Sequence, residues 1–254
     1  MQNRIKQIST HILHLCLITF LVISLCGCRK APTRGYRSHI KNDNEILRDE
    51  PVVHKERTRS SRNNETNKKL SGAEVFDKYG EAVFMIFTSD GRNSYQGSGF
   101  FIGENGLAVS NYHVFEGTYI GSENIKLSYD NNHYYKVSDV IAKSKDQDYI
   151  VFRVQYKNSI YIPIAKTKPN IGEKVYAIGS PRGLENTFSS GEVSQWRGDY
   201  LMQINALIDH GSSGGALINE YGEAVGITSG TFYDGSQANL NYAWSTEAIK
   251  KYIE

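Results

Sequence analysis

Apolar and polar residues alternate along most of the chain from about residue 80 onward. The run Ile125-Lys-Leu-Ser-Tyr129 places every second side chain on one face, and Tyr149-Ile-Val-Phe-Arg-Val154 is apolar enough for burial on both faces. Glycine, asparagine and aspartate separate these runs, which is typical of tight turns between strands. We predict strands at 82–88, 97–103, 107–110, 125–129, 134–142, 149–154, 160–164, 174–178, 187–195, 201–204, 215–218, 223–228 and 240–244. So many short strands predict an all-β fold, either a sandwich or a pair of barrels.

The pattern changes to helical spacing at the two ends of this region. Ser71-Gly-Ala-Glu74 has the spacing of a capping box, and Val75, Phe76 and Tyr79 follow at helical intervals. Residues 246–253 have the same spacing of apolar positions. We therefore predict a short helix at the beginning of the domain and a second helix at its end.

The first residues of the chain have the features of a targeting segment. Arg4 and Lys6 form a basic start, residues 12–25 are mostly apolar, and Leu25-Cys-Gly-Cys28 follows. This apolar run is short for a membrane span and typical of the central region of a signal peptide. We predict a signal peptide over residues 1–27, with an uncleaved membrane anchor as the alternative.

The end of this segment resembles the lipobox of bacterial lipoproteins, although Cys26 is less usual at its position. The resemblance implies cleavage after Gly27 and lipidation of the Cys28 sulfur. It also implies a protein of the bacterial cell envelope, held to a membrane on its periplasmic or surface side. All three cysteines lie in the segment from Cys16 to Cys28, so we expect no disulfide in the folded domain.

Charge divides the chain in a way that its net value of +2 hides. Residues 29–70 carry 12 Lys and Arg against 6 Asp and Glu, whereas residues 71–254 carry 15 against 21. The basic segment has too few apolar residues to offset the entropy lost on ordering. We predict a disordered tether at residues 28–70 and a folded domain at residues 71–254. Its charge suits anionic lipid head groups, but it lacks the interleaved aromatic residues that favour nucleic acid, so we expect no nucleic-acid partner.

A candidate nucleophile lies in the segment Asp209-His-Gly-Ser-Ser213-Gly-Gly-Ala-Leu-Ile218. A serine hydroxyl attacks a carbonyl only when a base takes its proton and donors stabilise the oxyanion. A glycine at position 211 allows the backbone to turn so that the N–H groups of Gly211 and Ser213 can converge. By itself, however, this segment also fits a turn between two strands.

A base and an orienting carboxylate are needed beside such a serine. The folded domain contains three histidines. His133 lies in a polar turn and is expected to face water, and His210 is expected to border a cleft. His113 follows an apolar strand that would carry its imidazole to a rim. Among the carboxylates, Asp148 directly precedes a buried strand, which favours it over the more exposed Asp146, although an extended backbone would point both to the same side.

Six short motifs resemble the HtrA (DegP-type) branch of the trypsin-like serine proteases. They are Gly97-Ser-Gly-Phe-Phe-Ile102, Val109-Ser-Asn-Tyr-His-Val114, Asp148-Tyr-Ile-Val151, Gly179-Ser-Pro-Arg-Gly-Leu184, Ser190-Gly-Glu-Val-Ser194 and Gly211-Ser-Ser-Gly-Gly-Ala-Leu217. The resemblance implies a chymotrypsin-like pair of six-stranded β-barrels with the active site between them. It implies that His113 is the general base, Asp148 its orienter and Ser213 the nucleophile, with the amides of Gly211 and Ser213 as the oxyanion hole. Neither a metal nor a cofactor is implied.

Substrate recognition is expected from the same resemblance. It implies a pocket for the side chain before the cleaved bond (P1), formed by Leu207, Ile227, Thr228, Ser229 and Asn241. None of these residues is acidic, so a small or medium apolar side chain fits better than Lys or Arg.

Several features depart from the family. Ser212 stands where asparagine is usual. Asp209 stands where asparagine is common, and His210 stands where proline or arginine is common. The sequence ends at Glu254, where many relatives continue into PDZ domains, so we expect no PDZ domain. The family's oligomer contacts have no recognisable counterpart, which leaves a homo-oligomer possible.

Three functions fit these observations to different degrees. An endopeptidase acting on unfolded or extended polypeptides, in quality control of envelope proteins, explains all six motifs. A non-catalytic module that binds peptides on a protease fold is the alternative, although the complete set of His, Asp and Ser counts against it. A structural envelope lipoprotein would leave the motifs unexplained.

Overall fold

The computed structural model describes residues 68–130, 132–184, 186–231 and 240–253. The predicted signal peptide, Cys28 and all but the last three residues of the predicted tether lie outside the described residues. Within the described ranges, no helix is both long and apolar enough to cross a membrane.

Strands dominate the described part of the chain, as the alternating pattern predicts. The first six are β1 (Val83–Ser89), β2 (Ser94–Phe101), β3 (Leu107–Ser110), β4 (Asn124–Leu127), β5 (Val137–Ser144) and β6 (Tyr149–Val154). The next six are β7 (Lys174–Gly179), β8 (Thr187–Arg197), β9 (Leu201–Ile204), β10 (Ala216–Asn219), β11 (Ala224–Thr231) and β12 (Asn241–Ser245). The all-β prediction is confirmed.

The strands form two six-stranded units with one shared strand order. The first unit is the sheet β4-β1-β2-β3-β6-β5, and the second is the closed barrel β10-β11-β12-β9-β8-β7. If β7 to β12 are counted from one to six, both units follow the cyclic order 1-2-3-6-5-4. The first unit lacks a ladder between β4 and β5, but the isolated bridge Ile125–Tyr135 joins β4 to the chain just before β5. The arrangement is the predicted chymotrypsin-like double barrel, and we call the two units the first and second barrels.

The predicted strand at 160–164 is wrong. Ile162 is fully buried and its N–H donates to the carbonyl of Phe101, whereas Ile164 forms one isolated parallel bridge with Ala224. Pro163 has no N–H to donate, so a regular ladder cannot continue through this segment. The segment is instead a partly buried connection between the two barrels, with Ile162 as its buried residue.

Short helices flank the barrels. Helix α1 (Gly72–Tyr79) begins with the predicted capping box, in which the Ser71 hydroxyl accepts from the N–H of Glu74 and the Glu74 carboxylate accepts from the N–H of Ser71. The predicted terminal helix is found at Thr246–Tyr252 as a 3-10 helix. Both helices lie where the change of period predicts them.

The predicted boundary at residue 70 is a few residues too late. The N–H of Leu70 donates to the carbonyl of Glu220 at 2.7 Å, and the Lys69 ammonium lies 2.6 Å from the Glu220 carboxylate. Leu70 also packs against the core. The last residues of the predicted tether are therefore attached to the folded domain.

One apolar cluster joins the two barrels. It contains Val83 and Phe100 from the first barrel with Ile178, Ala216 and Ile227 from the second, all fully buried. Burial of one such side chain contributes about 1.5–3 kcal/mol. This shared core holds the loops of one barrel in a fixed position relative to those of the other.

Candidate functional site

The first barrel brings His113 and Asp148 together. His113 lies in a short 3-10 turn, Tyr112–Phe115, that follows β3, and Asp148 directly precedes β6. The His113 Nδ1 lies 2.8 Å from Asp148 Oδ2, and the His113 backbone N–H donates to Oδ1 at 3.0 Å. Both oxygens of one carboxylate therefore orient a single histidine. The Asp148 side chain is 14% exposed and the His113 side chain 45%, so the imidazole is open on its other side.

Asp148 is held in an uncommon backbone conformation. Its φ is +45°, in the left-handed region that residues other than glycine rarely occupy. The fully buried Asn111 donates from Nδ2 to the Asp148 carbonyl at 2.8 Å, which fixes this conformation. The competing Asp146 is exposed. Of the two carboxylates, Asp148 is the one that contacts His113, and its strain is of the kind that concentrates at functional sites.

A second-barrel residue completes the contacts of this carboxylate. The Ser229 hydroxyl, on β11, donates to Asp148 Oδ2 at 2.9 Å. Ser229 is predicted as part of a pocket for the substrate, but its hydroxyl instead binds the carboxylate of the other barrel. Two residues remote in sequence thereby join the two barrels at the candidate site.

Ser213 lies on a tight turn of the second barrel. The N–H of Ser212 donates to the carbonyl of Asp209, and Gly211 between them has a φ of +95°. Gly214 has a φ of +89°, and its N–H donates to the carbonyl of Thr228 at 2.7 Å. Glycine is required at both positive-φ positions, because a side chain there would be strained. The turn is consequently fixed on both sides of Ser213.

The amides of Gly211 and Ser213 make no hydrogen bond to any described residue. Elsewhere in the same turn, the N–H groups of Ser212, Gly214 and Gly215 are all paired. Buried or half-buried backbone donors are normally paired. Two unpaired donors on either side of Ser212 therefore form a candidate site for a developing negative charge.

Gly97 and Gly230 show where Ser213 lies relative to the neighbours of the His113–Asp148 pair. The Ser213 Oγ lies 3.4 Å from the point where a Cβ on Gly230 would stand, and Gly230 directly follows Ser229, which binds Asp148. A Cβ on Gly97 would lie 2.6 Å from a methyl of Val114, the neighbour of His113, and 3.2 Å from the Ser213 carbonyl oxygen. All three candidate catalytic residues thus border the space between the barrels.

The other two histidines of the folded domain lie elsewhere. His133 Nδ1 lies 2.9 Å from the Asp130 carboxylate, in a turn where the His133 side chain is 71% exposed. His210 is exposed. A His–Asp contact therefore occurs twice in the described residues, and the His113–Asp148 pair differs because its carboxylate also accepts from Ser229 of the second barrel.

Apart from Ser229, the four other predicted substrate-binding residues divide into three groups. Leu207 is 66% exposed and, with the buried Thr228, lines a cavity of about 370 Å³ against the ends of β7 and β8. Asn241 is buried and donates from Nδ2 to the carbonyl of Ala206, so it supports this segment from behind. Ile227 has no exposed surface and packs in the shared core. The prediction is therefore wrong for the side chain of Ile227, which cannot contact a substrate.

The chain is similar in sequence to known proteases. Residues 97–227 match the model of the trypsin-like peptidase domain family. Serine protease HTRA3 of Mus musculus is 33% identical over 202 residues, which cover 71% of this chain and 43% of that protein. A probable periplasmic serine endoprotease, DegP-like, of Rhizobium meliloti is 34% identical over 175 residues, covering 63% of this chain and 32% of that protein. The chain thus spans less than half the length of these relatives.

Solved structures agree with the sequence relatives. The serine endoprotease from Yersinia pestis is 25% identical, with a TM-score of 0.63, over 72% of this chain and 65% of that one. The Rv3671c protease from M. tuberculosis, in its active form, has a TM-score of 0.61 at 18% identity, which supports the fold alone. The resemblance predicted from the six motifs is confirmed.

Proposed function

Because the chain belongs to the trypsin-like peptidase family, we propose that it is a serine endopeptidase that uses Ser213, His113 and Asp148. The observation that carries this proposal is the contact of both Asp148 oxygens with His113, beside a serine turn whose Gly211 and Ser213 amides are unpaired. A side-chain pair of this kind prepares a base, and a pair of open amides prepares a site for charge.

The geometry supports a reaction in two covalent steps. His113 takes the proton from the Ser213 hydroxyl through Nε2, while Asp148 holds Nδ1. The Ser213 oxygen then forms a bond to the substrate carbonyl carbon, and the amides of Gly211 and Ser213 stabilise the oxyanion. His113 returns its proton to the leaving amine as the C–N bond breaks, which gives an acyl-enzyme. A water molecule, deprotonated by His113, then forms a bond to the acyl carbon. The bond between this carbon and the Ser213 oxygen breaks, the acid leaves, and His113 returns the proton to Ser213.

The proposed substrate is an unfolded or extended polypeptide with an apolar P1 side chain. The exposed Leu207 offers an apolar surface beside the serine turn, and the cavity that it lines is mostly apolar, with Asp209 as the one carboxylate among its described lining residues. Cleavage-site mapping on a peptide library tests this preference. A dominant preference for Lys or Arg at P1 would contradict it.

The cellular setting is a separate proposal. The signal-like segment and Cys28 support a lipid-anchored protein of the bacterial cell envelope, with a role in quality control of envelope proteins. Mass spectrometry of the mature N-terminus should detect a lipid on Cys28 that Cys28→Ser abolishes. An unmodified Cys28 in the mature protein would contradict the anchor. A homo-oligomer also stays a prediction, which light scattering of the purified protein checks.

Cleavage of an unfolded casein-like substrate tests the proposed function. Ser213→Ala and His113→Ala should each abolish cleavage with an unchanged far-UV circular dichroism spectrum. His133→Ala, which removes the exposed His–Asp pair, should cleave like the unaltered chain. The rate should also fall in acid, because a protonated imidazole cannot act as the base. Full cleavage by Ser213→Ala or His113→Ala would leave the chain as the non-catalytic peptide-binding alternative or assign other residues.

A further inference from the structure

The peptide bonds around the candidate oxyanion site are held by one residue of the opposite barrel. Ser98 lies on β2, is fully buried, and makes contacts through both its backbone and its side chain. Its hydroxyl donates to the carbonyl of Gly211 at 2.7 Å, and its N–H donates to the carbonyl of Ser213 at 2.8 Å. The two residues that Ser98 binds are the two whose amides are unpaired.

These contacts limit the directions that the unpaired amides can take. A peptide plane rotates as a unit, so fixing a carbonyl fixes the neighbouring backbone dihedral angle. The bond to the Gly211 carbonyl limits rotation at the C-terminal side of Gly211, and the bond to the Ser213 carbonyl does the same for Ser213. The Ser212 N–H, which shares a peptide with the Gly211 carbonyl, already closes the turn on Asp209. The Ser212 carbonyl, in the same peptide as the Ser213 N–H, is held separately by the Thr228 hydroxyl and the N–H of Gly215.

Ser98 is itself fixed in place. Its hydroxyl accepts from the N–H of Ser180 at 2.9 Å, and its carbonyl accepts from the buried hydroxyl of Ser110 at 2.7 Å. The backbones of Ser98 and Gly214 are in close contact, because a Cβ on Gly214 would stand 2.1 Å from the Ser98 carbonyl oxygen. The Ser98 hydroxyl is thus both donor and acceptor between two segments of the second barrel.

We propose that Ser98 is a positioning residue that holds the oxyanion site formed by Gly211 and Ser213 in its open, charge-binding geometry. This inference rests on the proposed function. Donors that bind the oxyanion act on the transition state more than on the bound substrate. Loss of the Ser98 hydroxyl should therefore lower kcat and leave KM nearly unchanged. Because Ser98 does not contact His113 or Asp148 in the hydrogen bonds described, the pH dependence of the rate should keep its midpoint.

The experiment compares variants of the purified full chain on one peptide substrate. We expect Ser98→Ala to lower kcat by about tenfold to a hundredfold, since one misplaced oxyanion donor costs up to a hundredfold or more. Ser98→Cys, which keeps the size and a weak S–H donor, should fall between Ser98→Ala and the unaltered chain. The control Thr246→Val removes another buried side-chain bond, from Thr246 Oγ1 to the carbonyl of Ala224, outside the site. It should keep kcat within about twofold.

The outcomes are distinguishable. A kcat within twofold of the unaltered chain in folded Ser98→Ala, or in Ser98→Cys if Ser98→Ala does not fold, would overturn the positioning role. Equal losses of kcat in Ser98→Ala and Thr246→Val, in proportion to their losses of stability, would also overturn it. A moved pH midpoint would show that the effect runs through His113 instead. An unaltered, folded chain that neither cleaves peptides nor reacts with a fluorophosphonate would overturn the proposed function itself, and this inference with it.

Discussion

The two barrels share one strand order but contribute different kinds of groups to the candidate site. The first barrel supplies side chains, in the form of the His113–Asp148 pair on the ends of β3 and β6. The second supplies the Ser213 hydroxyl and, in the same turn at residues 209–215, the two unpaired backbone amides of Gly211 and Ser213. One topology therefore supports a site of hydrogen-bonded side chains in one barrel and, in the other, a serine turn whose backbone depends on glycine at positive φ.

Each barrel also fixes the group that the other supplies. Ser229 of the second barrel binds the Asp148 carboxylate, and Ser98 of the first barrel binds the carbonyl of Gly211. Both contacts cross the space between the barrels. Neither half of the site is therefore complete within its own barrel, and changes to the two halves should affect kinetics and stability differently.

The largest effect on activity is expected in the side-chain half. Asp148→Asn should lower kcat/KM by about 10⁴-fold, because an amide cannot hold the imidazole in the required tautomer. The matched variant Asp146→Asn changes an exposed carboxylate two residues away and should stay within about twofold. Steady-state kinetics on one peptide substrate measure both. Comparable losses in the two variants would contradict the assignment of Asp148.

A change in the backbone of the second-barrel turn should lower the free energy of unfolding. Gly214→Ala would place a Cβ 2.1 Å from the Ser98 carbonyl oxygen at a φ of +89°, and we expect it to lower the free energy of unfolding by about 3 kcal/mol or more. Gly172→Ala is the control, since Gly172 has a φ of +84° and no atom within 4 Å of the added Cβ. It should cost about 1–2 kcal/mol. Urea unfolding distinguishes the two, and equal costs would show that the close approach of the barrels is not tight.

A smaller loss of activity is expected when the hydrogen bond from Ser229 of the second barrel to Asp148 of the first is removed. Ser229→Ala removes one hydrogen bond to the Asp148 carboxylate and leaves both contacts of Asp148 with His113. We expect kcat to fall by about tenfold, in line with about 1.5 kcal/mol for a bond to a charged group. Ser138→Ala, which removes a hydroxyl bond on β5, is the control. Unchanged kinetics in Ser229→Ala would show that Asp148 needs no support from the second barrel.

The smallest effect lies outside both halves, at helix α1. The backbone N–H of Ser71, assisted by Lys68, lowers the pKa of Glu74 to about 2. A lowered pKa in the folded state adds stability above the usual carboxyl value of 4.5, and this stability disappears as the pH falls from 4.5 to about 2. Glu74→Gln should therefore lower the melting temperature by about 2 °C at pH 7, with a smaller difference near pH 2. A difference that is constant from pH 7 to pH 2 would contradict the role of the ionised capping box.

The sequence alone predicts the fold and the local chemistry of this domain. Period-two alternation identifies the strands, and the capping box identifies α1, because both depend on residues close together in the chain. The strand predicted at 160–164 is wrong because an apolar connection resembles an apolar strand in sequence. Pro163 is the one residue in this segment that argues against a strand. His113, Asp148 and Ser213 are predicted because each ends or precedes a recognisable strand or turn.

Contacts between the barrels are what the sequence does not predict. Ser98 and Gly211 are 113 residues apart, and Asp148 and Ser229 are 81 apart, so no local pattern connects them. The error at Ile227 has a related cause, because its side chain packs in the core that the two barrels share.

Covalent labelling of the purified full chain with a fluorophosphonate tests the central claim most directly, since it requires an activated serine and no knowledge of the substrate. Mass spectrometry should locate a single label on Ser213. Labelling should be abolished in Ser213→Ala, strongly slowed in His113→Ala, and unchanged in His133→Ala, whose exposed pair with Asp130 serves as the control. A folded chain that stays unlabelled, or that is labelled at another serine, would contradict the account of a site shared between the two barrels.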